Sequence, residues 1–203
     1  MKKILTTISL ALTLCLSLTT VFASPSINKN GAVKKDSILI NGEKVDANTT
    51  AAFDSKKETY SAAGVSDETI DVIEKVNANP SQLASLIKGV DLSEYFLLTE
   101  FQDLSVYVNG ELKQKVKNVT LTWEAPNLVK TAKNVKVLHY STERNTWEIL
   151  TPKSVDFDNK TITQEFKDLS PVAVIYQAGD ANANKNGTKA NSTKTGDSTN
   201  VMP

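Results

Sequence analysis

The sequence predicts a mainly β protein, an antiparallel, immunoglobulin-like β-sandwich preceded by a small helical and hairpin segment. Three observations predict it. From residue 104 onward, apolar and polar residues alternate with a period of two over a series of short stretches. Turn residues separate these stretches at short intervals, which favours antiparallel neighbours. The 203 residues are 40% apolar and 23% charged, a composition typical of a soluble domain with a core.

The amino terminus has the pattern of a secretory signal peptide. Met1–Lys3 is basic, the stretch from Ile4 to Phe22 is mostly apolar, and Ala23 supplies a small residue before the expected cut. We therefore predict a signal peptide over residues 1–23 and an extracellular protein. The alternative is a membrane anchor, but serines and threonines interrupt the apolar run.

The segment after the signal peptide begins without a clear pattern. Residues 24–36 are polar and predicted to be flexible. A short strand is expected over Ser37–Ile40, and Asn41-Gly42 predicts a hairpin because both residues tolerate positive φ.

Residues 37–95 as a whole are predicted to form a small α+β segment with two helices. Ser66 is expected to cap the first helix. Apolar residues recur at helical spacing after it, at Ile70, Ile73 and Val76. A second helix is expected to begin at Asn79-Pro80 and to end at Gly89.

Residues 96–177 are predicted to form the β-sandwich module. The period of two predicts strands at Leu104–Val108, Glu111–Val116, Val119–Glu124, Val135–Ser141, Trp147–Leu150, Ser154–Phe157, Thr161–Phe166 and Val172–Tyr176. The longest connection, residues 125–134, contains Pro126 and is expected to cross between the two sheets.

Residues 178–203 differ from the rest of the chain. They contain no aromatic residue and consist mainly of Asn, Thr, Lys, Ala, Gly, Ser and Asp. Such a segment cannot bury enough apolar surface to offset its ordering entropy, so a disordered tail is predicted.

Charge and composition exclude several classes of function. The formal net charge of +0 is unlike the basic balance of nucleic-acid-binding proteins. The single histidine and the single cysteine exclude a zinc site built from several such ligands. Because Cys15 lies in the predicted signal peptide, the processed chain would contain no disulfide. We predict no cofactor, no metal and no nucleic-acid partner.

No arrangement of residues predicts a catalytic site. His139 shares a strand face with apolar residues, and its local sequence offers no partner, so a structural histidine is expected. The acidic pairs Asp156/Asp158 and Glu143/Glu148 are expected to be solvated or to form turns, although paired carboxylates are also what a glycosidase needs.

Two aromatic residues are the candidates for ligand binding. Aromatic faces bind sugar rings by apolar contact. Trp147 lies next to a predicted hairpin, and Tyr140 lies on the strand before it. An exposed strip formed by both would favour a carbohydrate-binding module, whereas buried side chains would favour a core role.

The strand-rich part resembles a known class of surface module. Its strands contain Val119-Thr120-Leu121-Thr122-Trp123 and the segment from Val135 to Ser141, followed by Trp147-Glu148 and the segment from Leu169 to Ala173. This pattern resembles a β-sandwich module in sortase-anchored cell-surface proteins of Gram-positive, clostridia-like bacteria. The resemblance implies display on the cell wall.

The tail contains a stretch that resembles a sortase sorting signal, Thr193-Lys194-Thr195-Gly196-Asp197. The resemblance implies that sortase would cut between Thr195 and Gly196 and join Thr195 to peptidoglycan. Thr193 stands where the family has proline, and the family's apolar membrane tail does not follow. The expectation is therefore either a chain truncated at Pro203 or a freely secreted protein.

Three functions follow from these observations. The first is a non-enzymatic surface or secreted protein for display, adhesion or binding of a glycan or protein ligand. The second is a secreted carbohydrate-binding module. The third is a secreted hydrolase with carboxylate chemistry, which two acids facing each other in a cleft would favour.

Overall fold

A computed structural model of the chain describes residues 27–113 and 115–179. The described part is mainly β and contains two antiparallel sheets, one of five strands and one of seven, so the predicted fold class is confirmed. The predicted signal peptide and nearly all of the predicted tail lie outside the described residues. No helix in the described ranges is long and apolar enough to span a bilayer.

The smaller sheet has the strand order β10-β11-β7-β1-β2. Its strands are β1 (Leu39–Ile40), β2 (Glu43–Lys44), β7 (Lys117–Glu124), β10 (Ser154–Asp156) and β11 (Thr161–Asp168). The predicted hairpin between β1 and β2 is present, with Asn41 at φ 54° and Gly42 at φ 84°.

The larger sheet has the strand order β3-β5-β12-β8-β9, with β4 on β12 and β6 on β5. Its strands are β3 (Thr49–Asp54), β4 (Tyr95–Leu97), β5 (Gln102–Val108), β6 (Glu111–Lys113), β8 (Ala132–Ser141), β9 (Thr146–Leu150) and β12 (Pro171–Ala178). Residues 125–131 lead from β7 in the smaller sheet to β8 in the larger one, within the stretch 125–134 that was predicted to cross between the sheets.

The main core draws its side chains from both sheets. Alternate residues of β7 are fully buried, and Trp123 packs against Phe53 and Phe166. From the larger sheet, Val137 and Val174 join the same cluster. The period of two thus directs one face of each sheet into a shared apolar core.

A second core lies on the other face of the larger sheet, under two helices. The helices are α1 (Lys57–Ala62) and α2 (Asp67–Ala78). Ser66 caps α2 as predicted, because its side chain accepts a hydrogen bond from the Thr69 amide. Ile70, Ile73 and Val76 of α2 join a cluster with strand residues Leu138, Tyr140 and Ala173.

Four elements differ from the sequence prediction. The second helix is a 3₁₀ helix over Pro80–Ser85, capped by Asn79, rather than a longer helix ending at Gly89. Strands β3 and β4 and helix α1 were not predicted, because residues 48–59 show no clear period and β4 is only three residues long. The partners of the two strands, β5 for β3 and β12 for β4, are distant in sequence, and local patterns do not report such pairing.

Residues predicted to precede the sandwich are part of it. Strand β1 pairs with β7, and β3 pairs with β5 along its whole length. Within the segment predicted to be flexible, the Asn28 amide donates to Leu98 in one sheet and the Lys34 amide donates to Thr122 in the other. Backbone pairing with both sheets holds residues 28–34 in place, despite their polar composition.

Candidate functional site

The most connected group of buried polar side chains lies where β8, β9 and the β11–β12 connection meet. Ser170 Oγ lies 2.9 Å from His139 Nε2. On the other side of the ring, His139 Nδ1 lies 3.1 Å from Glu148 Oε2. The hydroxyl of Ser170 also contacts the backbone carbonyl oxygen of Tyr140. A serine, a histidine and a carboxylate therefore stand in one row of hydrogen bonds.

Arg144 lies at the solvent-facing end of this row and contacts two carboxylates. Its Nε donates to Glu148 Oε1 at 2.9 Å, and its Nη2 donates to Glu148 Oε2 at 3.0 Å and to Asp168 Oδ1 at 2.7 Å. The other oxygen of Asp168 accepts a hydrogen bond from Ser141 at 2.8 Å. We call these residues the arginine-capped cluster: His139, Ser141, Arg144, Glu148, Asp168 and Ser170.

Burial and charge set the protonation states in this cluster. Burial lowers the pKa of His139, although its hydrogen bond to Glu148 acts in the opposite direction. Burial also disfavours ionised Glu148, but the hydrogen bonds from Arg144 and His139 outweigh it and leave the pKa of Glu148 below its usual value. Burial therefore favours the neutral form of His139 at neutral pH, while Glu148 beside it stays ionised.

The row has the order of a catalytic triad but not the accessibility of one. A nucleophilic serine must reach a substrate carbonyl and needs donors for the developing oxyanion. Ser170 and His139 are each 0% exposed. The hydroxyl of Ser170 is also within hydrogen-bond reach of the Tyr140 carbonyl oxygen. These contacts join β8, β9 and the β11–β12 connection, and a structural role for His139 stays a prediction.

The same cluster contains the residue types of a metal site. One ligand atom each from His139, Glu148 and Asp168 lie within 4.8 Å of one another. The guanidinium of Arg144 already bonds both carboxylates. The single positive charge of Arg144 therefore already lies between the two carboxylates, where it offsets one of their two negative charges.

The two aromatic residues predicted to bind a ligand lie together on neighbouring strands. Tyr140 is directly opposite Trp147, and their ring centroids are 5.1 Å apart at 63°. Trp147 also packs on Phe101 at 5.2 Å, edge to face. Tyr140 is only 8% exposed, and Trp147 is half-buried. Both belong to the helix-covered core, and ligand binding by them stays a prediction.

The acidic pairs considered in the sequence have local roles. Asp156 accepts backbone hydrogen bonds from Asp158 and Asn159, so it forms the turn after β10. Glu143 bonds Lys117, and Glu148 belongs to the arginine-capped cluster. Within the first pair, the hydrogen bond to Asp156 comes from the backbone amide of Asp158 rather than from its carboxyl group.

A cleft of about 270 Å³ lies beside the arginine-capped cluster. Helix α1, strands β5 and β6 and the β8–β9 and β11–β12 connections form its walls. Three acids line it, Asp103, Glu143 and Asp168. Of these, Asp103 is 0% exposed, and its Oδ1 has no hydrogen-bond partner among the described residues.

Sequence reasoning missed both the cluster and the cleft. One signal was present: in the β8–β9 hairpin, a turn over residues 142–145 places His139 opposite Glu148. Asp168 and Ser170 come from a distant part of the chain, and Asp103 lies just before the strand predicted at Leu104–Val108, whereas β5 begins at Gln102. The sorting-signal residues Thr195 and Gly196 lie outside the described residues.

Comparisons with protein-family models, with curated proteins and with solved structures found no match to this chain. The assignment of a function therefore rests on the residues and their geometry alone.

Proposed function

We propose that this chain is a non-enzymatic, exported β-sandwich module of a Gram-positive bacterium that displays or binds a ligand outside the cell. The order of basic, apolar and small residues over residues 1–23 supports export. A mainly β scaffold with two cores, one between the sheets and one under the helices, can fold without disulfides outside the cytoplasm.

One observation supports the non-enzymatic part of the proposal above all others. The only histidine sits in a row with Ser170 and Glu148, yet both Ser170 and His139 are fully buried. Arg144 occupies the outer side of the row and ties Glu148 to Asp168. These hydrogen bonds and ion pairs thus join β8, β9, β11 and β12.

Export is tested by fractionating a Gram-positive host that expresses the full chain. We expect the protein in the medium or in the wall fraction. Leu12→Arg together with Leu14→Arg places charges in the apolar run and should retain the chain inside the cell. The matched control is Leu12→Ile with Leu14→Ile, which should be exported. Cytoplasmic protein from the unaltered chain would refute the proposal.

Wall attachment through sortase is a separate part of the proposal, and it is tested at the native locus. Thr195→Ala should abolish the fraction that only wall-degrading enzymes release, because the acyl donor is lost. Thr199→Ala, in the same polar stretch, should leave that fraction unchanged. Equal release from both variants would mean that Thr195 is not joined to peptidoglycan and that the protein is secreted.

The second candidate is a secreted hydrolase, and one observation favours it. Asp103 and Asp168 line the same cleft. Burial raises the pKa of Asp103 to about 6, as the general acid of a glycosidase requires. Against it, Asp103 is as fully buried as Ser170 and His139, and Asp168 is bonded to Arg144 and Ser141. Wall polysaccharide incubated with the purified protein should release no reducing ends; release that Asp103→Asn abolishes would establish the hydrolase instead.

A further inference from the structure

Strand β3 is an edge strand of the larger sheet, and it differs from the other edge strands of the described sheets. Strands β2, β4, β6 and β10 have only two or three residues each, and β9 carries the charged Glu148 in its middle. Strand β3 has six residues, and its one charge is on the last of them, Asp54. Short strands, charges, prolines and bulges are the features that protect sheet edges from pairing with other chains. Residues 49–53 have no proline or charge, and their register with β5 is continuous.

The backbone of β3 faces β5 at every second residue. The Asn109 amide donates to the Asn48 carbonyl oxygen at 3.0 Å, so Asn48 faces β5. Because the direction alternates along an antiparallel ladder, Thr49, Ala51 and Phe53 face away from β5. We call the side to which their amides and carbonyl groups point the outer edge of β3.

The outer edge is largely unpaired. The Thr49 amide donates to the Asp46 carbonyl oxygen at 2.9 Å, which agrees with its direction away from β5. No backbone hydrogen bond among the described residues uses the outward groups of Ala51 and Phe53. A row of unpaired amides and carbonyl groups is a template for a further strand.

A further strand can reach the outer edge from the solvent. The edge lies beside a groove of about 450 Å³, with residues 50–53 on one side and residues 30–33, Lys35 and Ile38 on the other. Thr50 and Ala52 are exposed, and their neighbours Ala51 and Phe53 are partly exposed. The strand is therefore at the surface and not inside the core.

The sequence around β3 is complementary to itself. A symmetric antiparallel pair places one residue opposite its own copy, because hydrogen-bonded and non-hydrogen-bonded pairs alternate. A pair centred on Ala51 sets Phe53 of one copy opposite Thr49 of the other, so each outward group meets an outward group. The same register brings Asp46 of one copy to Lys56 of the other at both ends, and both side chains are exposed. Opposite charges therefore favour this register.

The two neighbouring symmetric registers are disfavoured by charge. By the same count, a pair centred on Ala52 brings Asp46 to Glu58 of the second copy. A pair centred on Thr50 brings Asp46 to Asp54 of the second copy. Like charges placed opposite each other destabilise a strand pair, so the charges select the register centred on the residue between these two.

We infer that the outer edge of β3 is a self-association surface, at which a second copy of this chain adds its own β3 in antiparallel orientation. The larger sheets of the two copies then form one continuous sheet. Because both copies use the same edge, the contact is closed and produces a dimer rather than a fibre. The inference goes beyond the proposed function and holds or fails independently of where the protein is located.

The first experiment is sedimentation equilibrium of the purified full chain over a range of concentrations, combined with amide hydrogen exchange measured by NMR. We expect a monomer–dimer equilibrium in which the amides of Ala51 and Phe53 gain protection as the concentration rises. The amides of Thr50 and Ala52 face β5 and should be protected throughout, which provides an internal control. A monomer at millimolar concentration would overturn the inference. Protection of Ala51 and Phe53 at every concentration would also overturn it, because another segment of the same chain would then cover the edge.

A proline variant tests the outward amide directly. Ala51→Pro removes that donor without removing a hydrogen bond to β5, and it should weaken dimerisation by about tenfold or more. The matched control is Ala51→Ser, which keeps the amide and should dimerise as the unaltered chain does. Circular dichroism checks that both variants are folded. Unchanged dimerisation in folded Ala51→Pro would refute the inference.

A charge exchange keeps the inference testable if Ala51→Pro fails to fold. Asp46→Lys and Lys56→Glu change only exposed side chains, and each alone places like charges at both ends of the strand pair. Each should weaken dimerisation, and the double variant should restore it because opposite charges face each other again. Dimerisation that is equal in both single variants and in the unaltered chain would contradict pairing at this edge.

Discussion

Asp168 and Asp103 are both buried acids lining one cleft, yet their surroundings differ. Asp168 has a partner for each oxygen, the Arg144 guanidinium and the Ser141 hydroxyl. Asp103 has Ser105 on one oxygen and no partner among the described residues on the other. The first acid joins strands that the chain must hold together, whereas the second remains costly to the fold.

The two acids should therefore respond to substitution in opposite ways. Removing a buried charge that has a full set of partners destabilises the fold, because its former partners remain buried without it. A buried charge that lacks a partner destabilises the fold, and its removal should raise the free energy of unfolding. Opposite effects of substitution at the two acids would therefore separate a fully partnered buried acid from an incompletely partnered one.

The largest effect is expected at Asp168. Asp168→Ala leaves the Arg144 guanidinium with Glu148 alone and leaves Ser141 without its acceptor. Breaking a buried ion pair lowers the free energy of unfolding by about 3–5 kcal/mol. Because Arg144 is partly exposed, we expect a loss of about 3 kcal/mol for this variant. Urea denaturation followed by tryptophan fluorescence measures the loss.

A surface ion pair provides the control for that variant. Asp158 pairs with Lys130, and both side chains are largely exposed. Asp158→Ala should leave the free energy of unfolding unchanged within error, because water screens such pairs. Equal losses in the two variants would mean that burial of the arginine-capped cluster contributes nothing.

The opposite sign is expected at Asp103. Its folded pKa of about 6 lies above the ordinary 3.8, mainly through burial, so the folded state holds the proton more tightly than the unfolded state. The stabilisation from this proton is complete below about pH 4 and is lost as the pH rises through about 6. Asp103→Asn should therefore raise the free energy of unfolding at pH 8 by about 2 kcal/mol.

The pH profile is the stricter test of this prediction. The gain in Asp103→Asn over the unaltered chain should shrink toward zero as the pH falls from 8 to about 4, since the native carboxyl then becomes neutral as well. Asp54→Asn, across the strand pair, tests whether a neighbouring acid produces the same profile. A constant difference at all pH values would assign the effect to packing rather than to ionisation.

The contrast between the acids also marks the limit of prediction from sequence. The alternation of Val119, Leu121 and Trp123 predicted strand β7, and Ser66 predicted the start of α2, because both signals are local. Asp103 lies in a strand whose neighbours are buried on both faces, so alternation does not show where it points. Its surroundings depend on α1, which has no sequence signal of its own.

Partners that meet across long stretches of sequence were equally hidden. The pairing of His139 with Glu148 follows from one hairpin register and could have been deduced. Ser170 reaches His139 only because β12 pairs with β8, and Asp168 reaches Arg144 only at the end of β11. No local pattern encodes the meeting of two sheets, so this half of the cluster required the structure.

The smallest effect is expected at Ser170, and it sharpens the comparison from the side of the partnered acid. Ser170→Ala removes one hydroxyl, so His139 Nε2 and the Tyr140 carbonyl oxygen each lose a hydrogen-bond partner. No charged group loses a partner. The free energy of unfolding should fall by about 1–2 kcal/mol in urea denaturation, less than for Asp168→Ala. Ser154→Ala, at an exposed strand position, should leave the free energy of unfolding unchanged.

An activity assay tests the structural role of Ser170 separately. Hydrolysis of a chromogenic ester by the unaltered chain, abolished in Ser170→Ala, would contradict that role and make the row a catalytic triad. A fall in stability with no activity in either protein is the outcome we expect, because a nucleophile without solvent contact cannot meet its substrate.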